Sequence, residues 1–313
     1  MKKQKIINNI ISSLTRKLFD KNFGFYNTHY DLKNKKINTT KTTFVNAHCA
    51  YCLYELGYKS RAKQILKAIL NSKLFDRRQK LFRYSIKNGK ILNPDKNCCS
   101  NLLMIYALSI CGMKKQAYEV CEACIGTLFN KEIGLFARST RDSKLFVAQT
   151  NLWGVLALES VGMEKEVKAL VKSIIKNFYN SKEGLLISKS STRKGKYRFT
   201  FIFSDDNLLF CWIGKKYYPD LCKKLAETLV KSPLFDKEKY LFNRSIRVED
   251  NFLNTDKSTY KNAVCLLGLK AIHHPLAKKL ENSMINYLYK EKIKMFVDCY
   301  SDSNLLACYA LKY

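Results

Sequence analysis

Six stretches of this chain open on an asparagine and then run apolar: Asn46-Ala-His-Cys-Ala-Tyr, Asn101-Leu-Leu-Met-Ile-Tyr, Asn151-Leu-Trp-Gly-Val-Leu, Asn207-Leu-Leu, Asn262-Ala-Val-Cys-Leu-Leu and Asn304-Leu-Leu-Ala-Cys-Tyr. Successive asparagines stand 55, 50, 56, 55 and 42 residues apart, a spacing that marks a repeat of one supersecondary unit. The run from Asn46 to Leu56 is apolar on nearly every side, as expected of a helix buried all round. A second pattern follows it. Lys59 to Leu70, Lys114 to Leu128 and Glu164 to Phe178 set apolar residues (Ala62, Ile65, Leu66 and Ile69, or Val167, Leu170, Val171 and Ile174) on one face against lysines and glutamates on the other. These are surface helices, and Ile6, Ile7, Ile10, Ile11, Leu14 and Leu18 give residues 4–19 the same stripe.

Gly57, Gly112 and Gly162 each fall eleven residues after their asparagine, where a left-handed residue closes a helix. In the fourth unit Gly214 follows Asn207 by only seven residues, which leaves that helix end open. Surface helices lead into a recurring signature: Leu74-Phe75-Asp76 then Leu81-Phe82, Leu128-Phe129-Asn130 then Gly134-Leu135-Phe136, and Leu234-Phe235-Asp236 then Leu241-Phe242. Units four and six carry Gly184-Leu185-Leu186-Ile187-Ser188 and Met295-Phe296-Val297-Asp298, and the aromatic Asn22–Tyr26 segment reads as a short strand or turn. The alternation predicts short extended segments. Surface helices are expected to begin near residues 4, 59, 114, 164, 218 and 276, and apolar helices near 44, 99, 149, 205, 260 and 303. An open solenoid needs polar caps at both ends, whereas this chain has an amphipathic helix at one end and an apolar one at the other. Closing the ring lets each cover the other. The expectation is an all-α fold, an (α/α)6 toroid of six helical hairpins with short extended segments at one end, forming one domain over 1–313.

The alternation of buried and amphipathic helices with these Leu-Phe-Asp, Gly-Leu-Phe and Asp205-Asp206-Asn207 landmarks resembles the six-hairpin glycosidase-like superfamily along essentially the whole chain. That group includes glycoside hydrolases, unsaturated glucuronyl hydrolases and sugar epimerases of the N-acylglucosamine 2-epimerase type. The resemblance implies a carbohydrate-active protein whose site lies at the mouth of the toroid, where connections enter the inner helices. A fold hosts many chemistries, so the landmarks speak to architecture before activity.

Composition adjusts this picture. Four prolines and twelve glycines are too few for an all-β fold, and no apolar stretch reaches the roughly 18 residues of a membrane span. The basic N-terminus lacks the continuous apolar centre of a signal peptide, so a cytoplasmic location is expected. Twelve cysteines fit as reduced, small core residues. The pairs Cys49/Cys52 and Cys121/Cys124 fall within helices without a knuckle turn and read as packing; no metal or other cofactor is expected. The formal net charge of +30 suits an anionic partner, nucleic acid included. Its lysines are scattered over every repeat with no polybasic tail, so an anionic saccharide is the preferred partner and nucleic acid the lesser alternative.

Inner-helix N-termini converging on one opening point N–H groups there and favour polar or anionic ligands. The carboxylates at that end are Asp205, Asp206 and Asp302 beside their asparagines, with Asp95 and Asp256 six residues before theirs. Glycoside hydrolysis ordinarily takes two carboxyl groups, and Asp206 with Asp95, Asp256 or Asp302 is a candidate pair. The competing role for each is helix capping, which stabilises by about 1 kcal/mol. Arg83, Arg138 and Arg244 hold nearly matching places and are candidates for clamping a carboxylate or phosphate. Trp153, Phe82, Phe136, Phe203 and Tyr26 are candidates for stacking on sugar rings, Trp153 ahead of the rest. Epimerases of the resembling group use histidine as acid and base; His48 is the one near an inner-helix start. The main expectation is hydrolysis of an anionic or modified saccharide. The alternatives are a sugar epimerase and an inert toroid that binds a sugar, peptide or nucleic acid.

Overall fold

The computed structural model describes residues 2–191 and 197–313, so Met1 and residues 192–196 of the expected 1–313 domain lie outside the described residues. Helices alternate between two environments. The inner set is α2 (Thr43–Glu55), α4 (Cys98–Ile110), α6 (Ala148–Ser160), α8 (Ser204–Gly214), α10 (Thr259–Ala271) and α12 (Ser301–Lys312). The outer set is α1 (Lys2–Lys17), α3 (Lys59–Leu70), α5 (Lys114–Leu128), α7 (Glu164–Phe178), α9 (Pro219–Lys231) and α11 (Leu276–Ser283), the last continued by one π-helical turn, Met284–Leu288. Each inner helix packs on the next, and α12 packs on both α2 and α1, closing a ring from the two ends of the chain. The Ile6, Ile7, Ile10, Ile11, Leu14 and Leu18 stripe is buried there. This is the expected (α/α)6 toroid.

Each outer helix runs into a two-residue β-hairpin, such as Phe75–Asp76 with Leu81–Phe82, and the repeated asparagine fastens that hairpin to the inner helix. Asn101 accepts from the Phe82 N–H at 2.7 Å and donates to Phe82 O at 3.1 Å and to Asn97 O at 2.9 Å. Asn46 grips Tyr26, Asn151 grips Phe136, Asn207 grips Leu186 and Asn262 grips Phe242 in the same way, and Asn304 accepts from the Phe296 N–H. All six are fully buried, so each amide satisfies peptide groups that would otherwise be stranded away from water. The repeat in the sequence is therefore a repeat of hydrogen bonds.

Gly57, Gly112 and Gly162 adopt positive φ at the ends of α2, α4 and α6, as the spacing predicts. The end of α8 falls at Gly214 itself. Gly268 serves close approach instead: a Cβ there would meet Leu208 O at 2.2 Å, so α8 and α10 touch along their backbones. At the end away from the hairpins, lysines satisfy the carbonyls of neighbouring inner helices. Lys215 Nζ donates to Ala271 O, Lys270 Nζ to Ala310 O and Lys312 Nζ to Glu55 O. Cations at helix C-termini also complement the macrodipole. Part of the positive charge is thus committed to this end of the ring.

The axis is filled. His48, Tyr51, Tyr106, Trp153, Trp212 and Tyr309 form a chain of ring contacts at 5.3–6.3 Å that draws on α2, α4, α6, α8 and α12. Longer hairpins rise at the opposite end: His29–Asp31 with Lys36–Asn38, a three-stranded sheet built on Ser85–Lys87, and a four-stranded sheet in which Tyr197–Phe203 pairs with Ser245–Arg247. The toroid is therefore a cup with an aromatic floor. No helix is long and apolar enough to cross a membrane among the described residues. All twelve cysteines are buried, including Cys49, Cys52, Cys121 and Cys124.

Candidate active site at the toroid mouth

Two sets of positions converge on the mouth. The first is the residue two before each gripping asparagine: Phe44, Cys99, Gln149, Asp205, Tyr260 and Asp302. The Phe44 and Tyr260 rings meet at 6.0 Å, Gln149 Nε2 donates to Asp205 Oδ2 at 3.1 Å, and the charges of Asp205 and Asp302 both act on the Tyr260 hydroxyl. The second is the residue two beyond each gripped peptide: Thr28, Tyr84, Arg138, Ser188, Arg244 and Asp298. Four of these six line two adjoining hollows. One, of about 470 Å³, is bounded by Gln149, Asp205, Arg244, Asp256, Tyr260 and Asp298. The other, of about 390 Å³, is bounded by Arg138, Ser188, Phe203, Asp206, Arg244 and Lys261.

Asp205 and Asp206 sit in the first turn of α8, but neither caps it, for the N-cap is Phe203. Asp205 is ion-paired with Lys261 Nζ of the neighbouring α10. Asp206 accepts from Ser188 Oγ at 2.9 Å, and the same Ser188 oxygen accepts from the Ala148 N–H at 3.3 Å. Only 4% of Asp206 is exposed. Burial pushes its pKa up to about 7 and the Asp205 charge adds to this, while Lys261 and the Ser188 hydrogen bond pull the other way. A helix N-terminus favours a carboxylate by about 0.3–1 kcal/mol, whereas the displacement from 3.8 to about 7 corresponds to roughly 4 kcal/mol, so burial wins. The result is an acid beside an anion, the separation of roles that acid/base chemistry at neutral pH needs.

Asp302 on α12 is also buried and pushed up to about 7, with burial again the chief cause, and its Oδ1 has no hydrogen-bond partner among the described residues. Asp298 accepts from Thr259 N at 2.8 Å, Thr259 Oγ1 at 3.0 Å and Ser258 Oγ at 3.1 Å, so it holds the start of α10 from a neighbouring hairpin; burial raises its pKa. Lys261 lies over the Phe203 ring at 4.8 Å. Among the described residues no group of three or more His, Cys, Asp or Glu side chains is placed to hold a metal ion.

No family model matches the chain and no curated protein matches its sequence. Solved structures do match in shape. A cellobiose 2-epimerase from Bacillus thermoamylovorans superposes with a TM-score of 0.78 at 10% identity, covering 99% of this chain and 100% of that one. A sugar epimerase from a ruminal bacterium gives 0.76 at 11% identity over 100% and 99%. An inactive variant of an α-1,6-mannanase from Salegentibacter, with two adjacent aspartates replaced, gives 0.69 at 12% identity over 98% and 97% in complex with mannotetrose. The chain shares the (α/α)6 toroid fold of these solved structures. Identities this low establish architecture and leave chemistry to the residues.

Within this six-hairpin toroid the expected site residues separate. Asp205, Asp206, Asp256, Arg138 and Arg244 border the hollows, with Arg138 3.6 Å from Asp142 and Arg244 3.6 Å from Asp256. Arg83 does not join them. It lies one residue beyond the peptide gripped by Asn101, where Arg138 and Arg244 lie two beyond theirs, and a one-residue step in extended chain reverses the face. Its guanidinium donates to Asp76 Oδ2 at 2.8 Å and to Lys73 O and Phe75 O. Asp95 ties two hairpins together, accepting from Thr140 Oγ1 at 2.7 Å and the Arg141 N–H at 3.3 Å. Trp153 is fully buried in the aromatic floor, so it presents no face to a sugar; Phe82, Phe136 and Tyr26 are buried as well, and only Phe203 borders a hollow. His48 is sealed beneath Tyr260, neutral because burial lowers its pKa to about 3.

Lys261, Tyr260, Gln149, Ser188 and Asp298 were not singled out from the sequence. The signal for them was register: Lys261, Tyr260 and Gln149 stand relative to an asparagine as Asp206 and Asp205 do, and Ser188 and Asp298 stand relative to a gripped peptide as Arg138 and Arg244 do.

Proposed function

We propose that the chain hydrolyses a glycosidic bond of a saccharide bound at the mouth, with Asp206 as proton donor. The observation that carries this reading is the buried Asp206 carboxyl, held near neutrality beside the ion-paired Asp205. Protonation of the leaving oxygen needs a carboxylic acid that still carries its proton at working pH, and development of positive charge at the sugar carbon needs an anion nearby. Asp206 fits the first requirement. Asp205 fits the second, and Asp256, on the hollow that Asp205 also borders, is the further carboxyl available to activate water. Loss of activity in a mannanase of the same fold on replacing two adjacent aspartates supports giving the Asp205-Asp206 pair this role. Arg138 and Arg244, half exposed and loosely paired, are positioned for a carboxylate, sulfate or phosphate on the saccharide.

Epimerisation is the second reading, favoured by the whole-length match to two epimerases. Against it, His48 is closed off from the mouth. Incubation with neutral and uronic oligosaccharides, followed by counting reducing ends and separating isomers, tests both. New reducing ends support hydrolysis; isomers without them support epimerisation. Neither turnover nor binding leaves the inert toroid, with nucleic-acid binding at low salt as its own assay.

A further inference from the structure

His48 is a polar ring inside the aromatic floor, and its surroundings dictate which way its protons lie. Phe44, Tyr51, Trp153 and Tyr260 enclose it with ring centroids 4.4–5.4 Å away, and none of its surface is exposed. Two polar atoms remain within reach. Nδ1 lies 3.1 Å from Phe44 O, and Nε2 lies 3.3 Å from the Tyr260 hydroxyl. A carbonyl only accepts, so Nδ1 must carry hydrogen. The ring is neutral in this enclosure and has a single proton to place, which leaves Nε2 as a bare lone pair. The Tyr260 O–H therefore donates to His48. The opposite tautomer would set the Nδ1 lone pair against the Phe44 carbonyl at 3.1 Å, too close for anything to stand between them.

Tyr260 borders the larger hollow. With its hydrogen directed into the floor, the hydroxyl has only lone pairs left for the mouth. We propose that Tyr260 is a fixed hydrogen-bond acceptor for a hydroxyl group of the ligand, its own proton being held by His48. This deepens the saccharide reading and rests on it. At this point the hollow demands a donor from its ligand, and the carboxylate of Asp205 on the same hollow accepts as well. A sugar hydroxyl meets the demand. A deoxy position, or one blocked by O-methylation, does not. His48 is then a positioning residue: it never touches ligand but decides what Tyr260 can recognise.

Two measurements test this. The first uses protein alone: ¹⁵N NMR of the His48 ring near pH 6.5, in wild type and in Tyr260→Phe. Hydrogen on Nδ1, with an Nε2 resonance that moves when the hydroxyl is removed, is the expected result; hydrogen on Nε2 overturns the proposal. The second uses 4-nitrophenyl glycosides and their monodeoxy analogues as probes. Wild type should bind the parent glycoside about tenfold more tightly than one particular deoxy analogue, and Tyr260→Phe should bind the two alike. Equal discrimination by both proteins would sink the role of Tyr260 while leaving saccharide binding intact. Failure of every glycoside to bind would sink the saccharide reading and, with it, the ligand assigned to Tyr260.

Discussion

Asn151 holds the Phe136 peptide at both ends, accepting from its N–H at 2.7 Å and donating to its carbonyl at 3.1 Å, while also donating to Val147 O at 3.0 Å. Asn151→Asp keeps the shape but replaces a two-hydrogen donor with an acceptor facing two carbonyls in a fully buried site. The expected loss is about 3 kcal/mol or more, read as a lowered melting temperature. Asn282→Asp on the exposed face of α11 serves as the control and should change stability by less than about 0.5 kcal/mol. Equal melting of the two variants would deny the grip its structural role.

That grip also explains how much of the molecule was legible in the sequence. The asparagine period, the all-round apolar runs and the striped surface helices placed most helix starts within two residues, because each is a local consequence of burial. The mouth was harder to read. Arg83 looked equivalent to Arg138 and Arg244, and only the register relative to the gripped peptides Phe82, Phe136 and Phe242 shows that it faces away. Asp205 and Asp206 looked like caps because position alone cannot separate an N-cap from the first turn. Trp153 looked available, though a residue two beyond its asparagine enters the axis, where facing aromatics bury it.

The arginines yield a contrast. Arg83→Ala breaks a partly buried ion pair with Asp76 and two hydrogen bonds to carbonyls, so it should lower stability by about 1–3 kcal/mol and leave ligand affinity unchanged. Arg244→Ala loses only a loose, exposed contact with Asp256 and should melt within about 0.5 kcal/mol of wild type. It should nonetheless weaken binding of uronic oligosaccharides more than neutral ones. Calorimetric binding together with thermal melts checks both halves; the reverse assignment of effects would remove Arg244 from the mouth's recognition.

Stability should depend on pH through Asp302. Its folded pKa of about 7 lies above the ordinary 3.8, so the fold retains a proton that the unfolded chain releases. That contribution is complete below about pH 4 and is lost as pH rises through about 7, which makes the slope of stability with pH negative across this window. Asp302→Asn carries no titrating proton and should make that slope shallower, leaving the share that the equally raised Asp206 contributes. Chemical denaturation of both proteins at pH 5 and pH 8 measures it. A variant whose stability falls as steeply as that of wild type would place the raised pKa elsewhere.

The central claim is that Asp206 delivers a proton, and turnover by Asp206→Asn against pH tests it most directly. Asparagine preserves the volume and can still hydrogen-bond Ser188, so folding should survive; melting measurements verify this. On whichever saccharide the wild type cleaves, the account predicts a fall in kcat of about 10² to 10⁴. It also predicts loss of the alkaline limb near pH 7 that deprotonation of the acid imposes on the wild-type profile. A folded Asp206→Asn protein with wild-type kcat and an unchanged alkaline limb would contradict it.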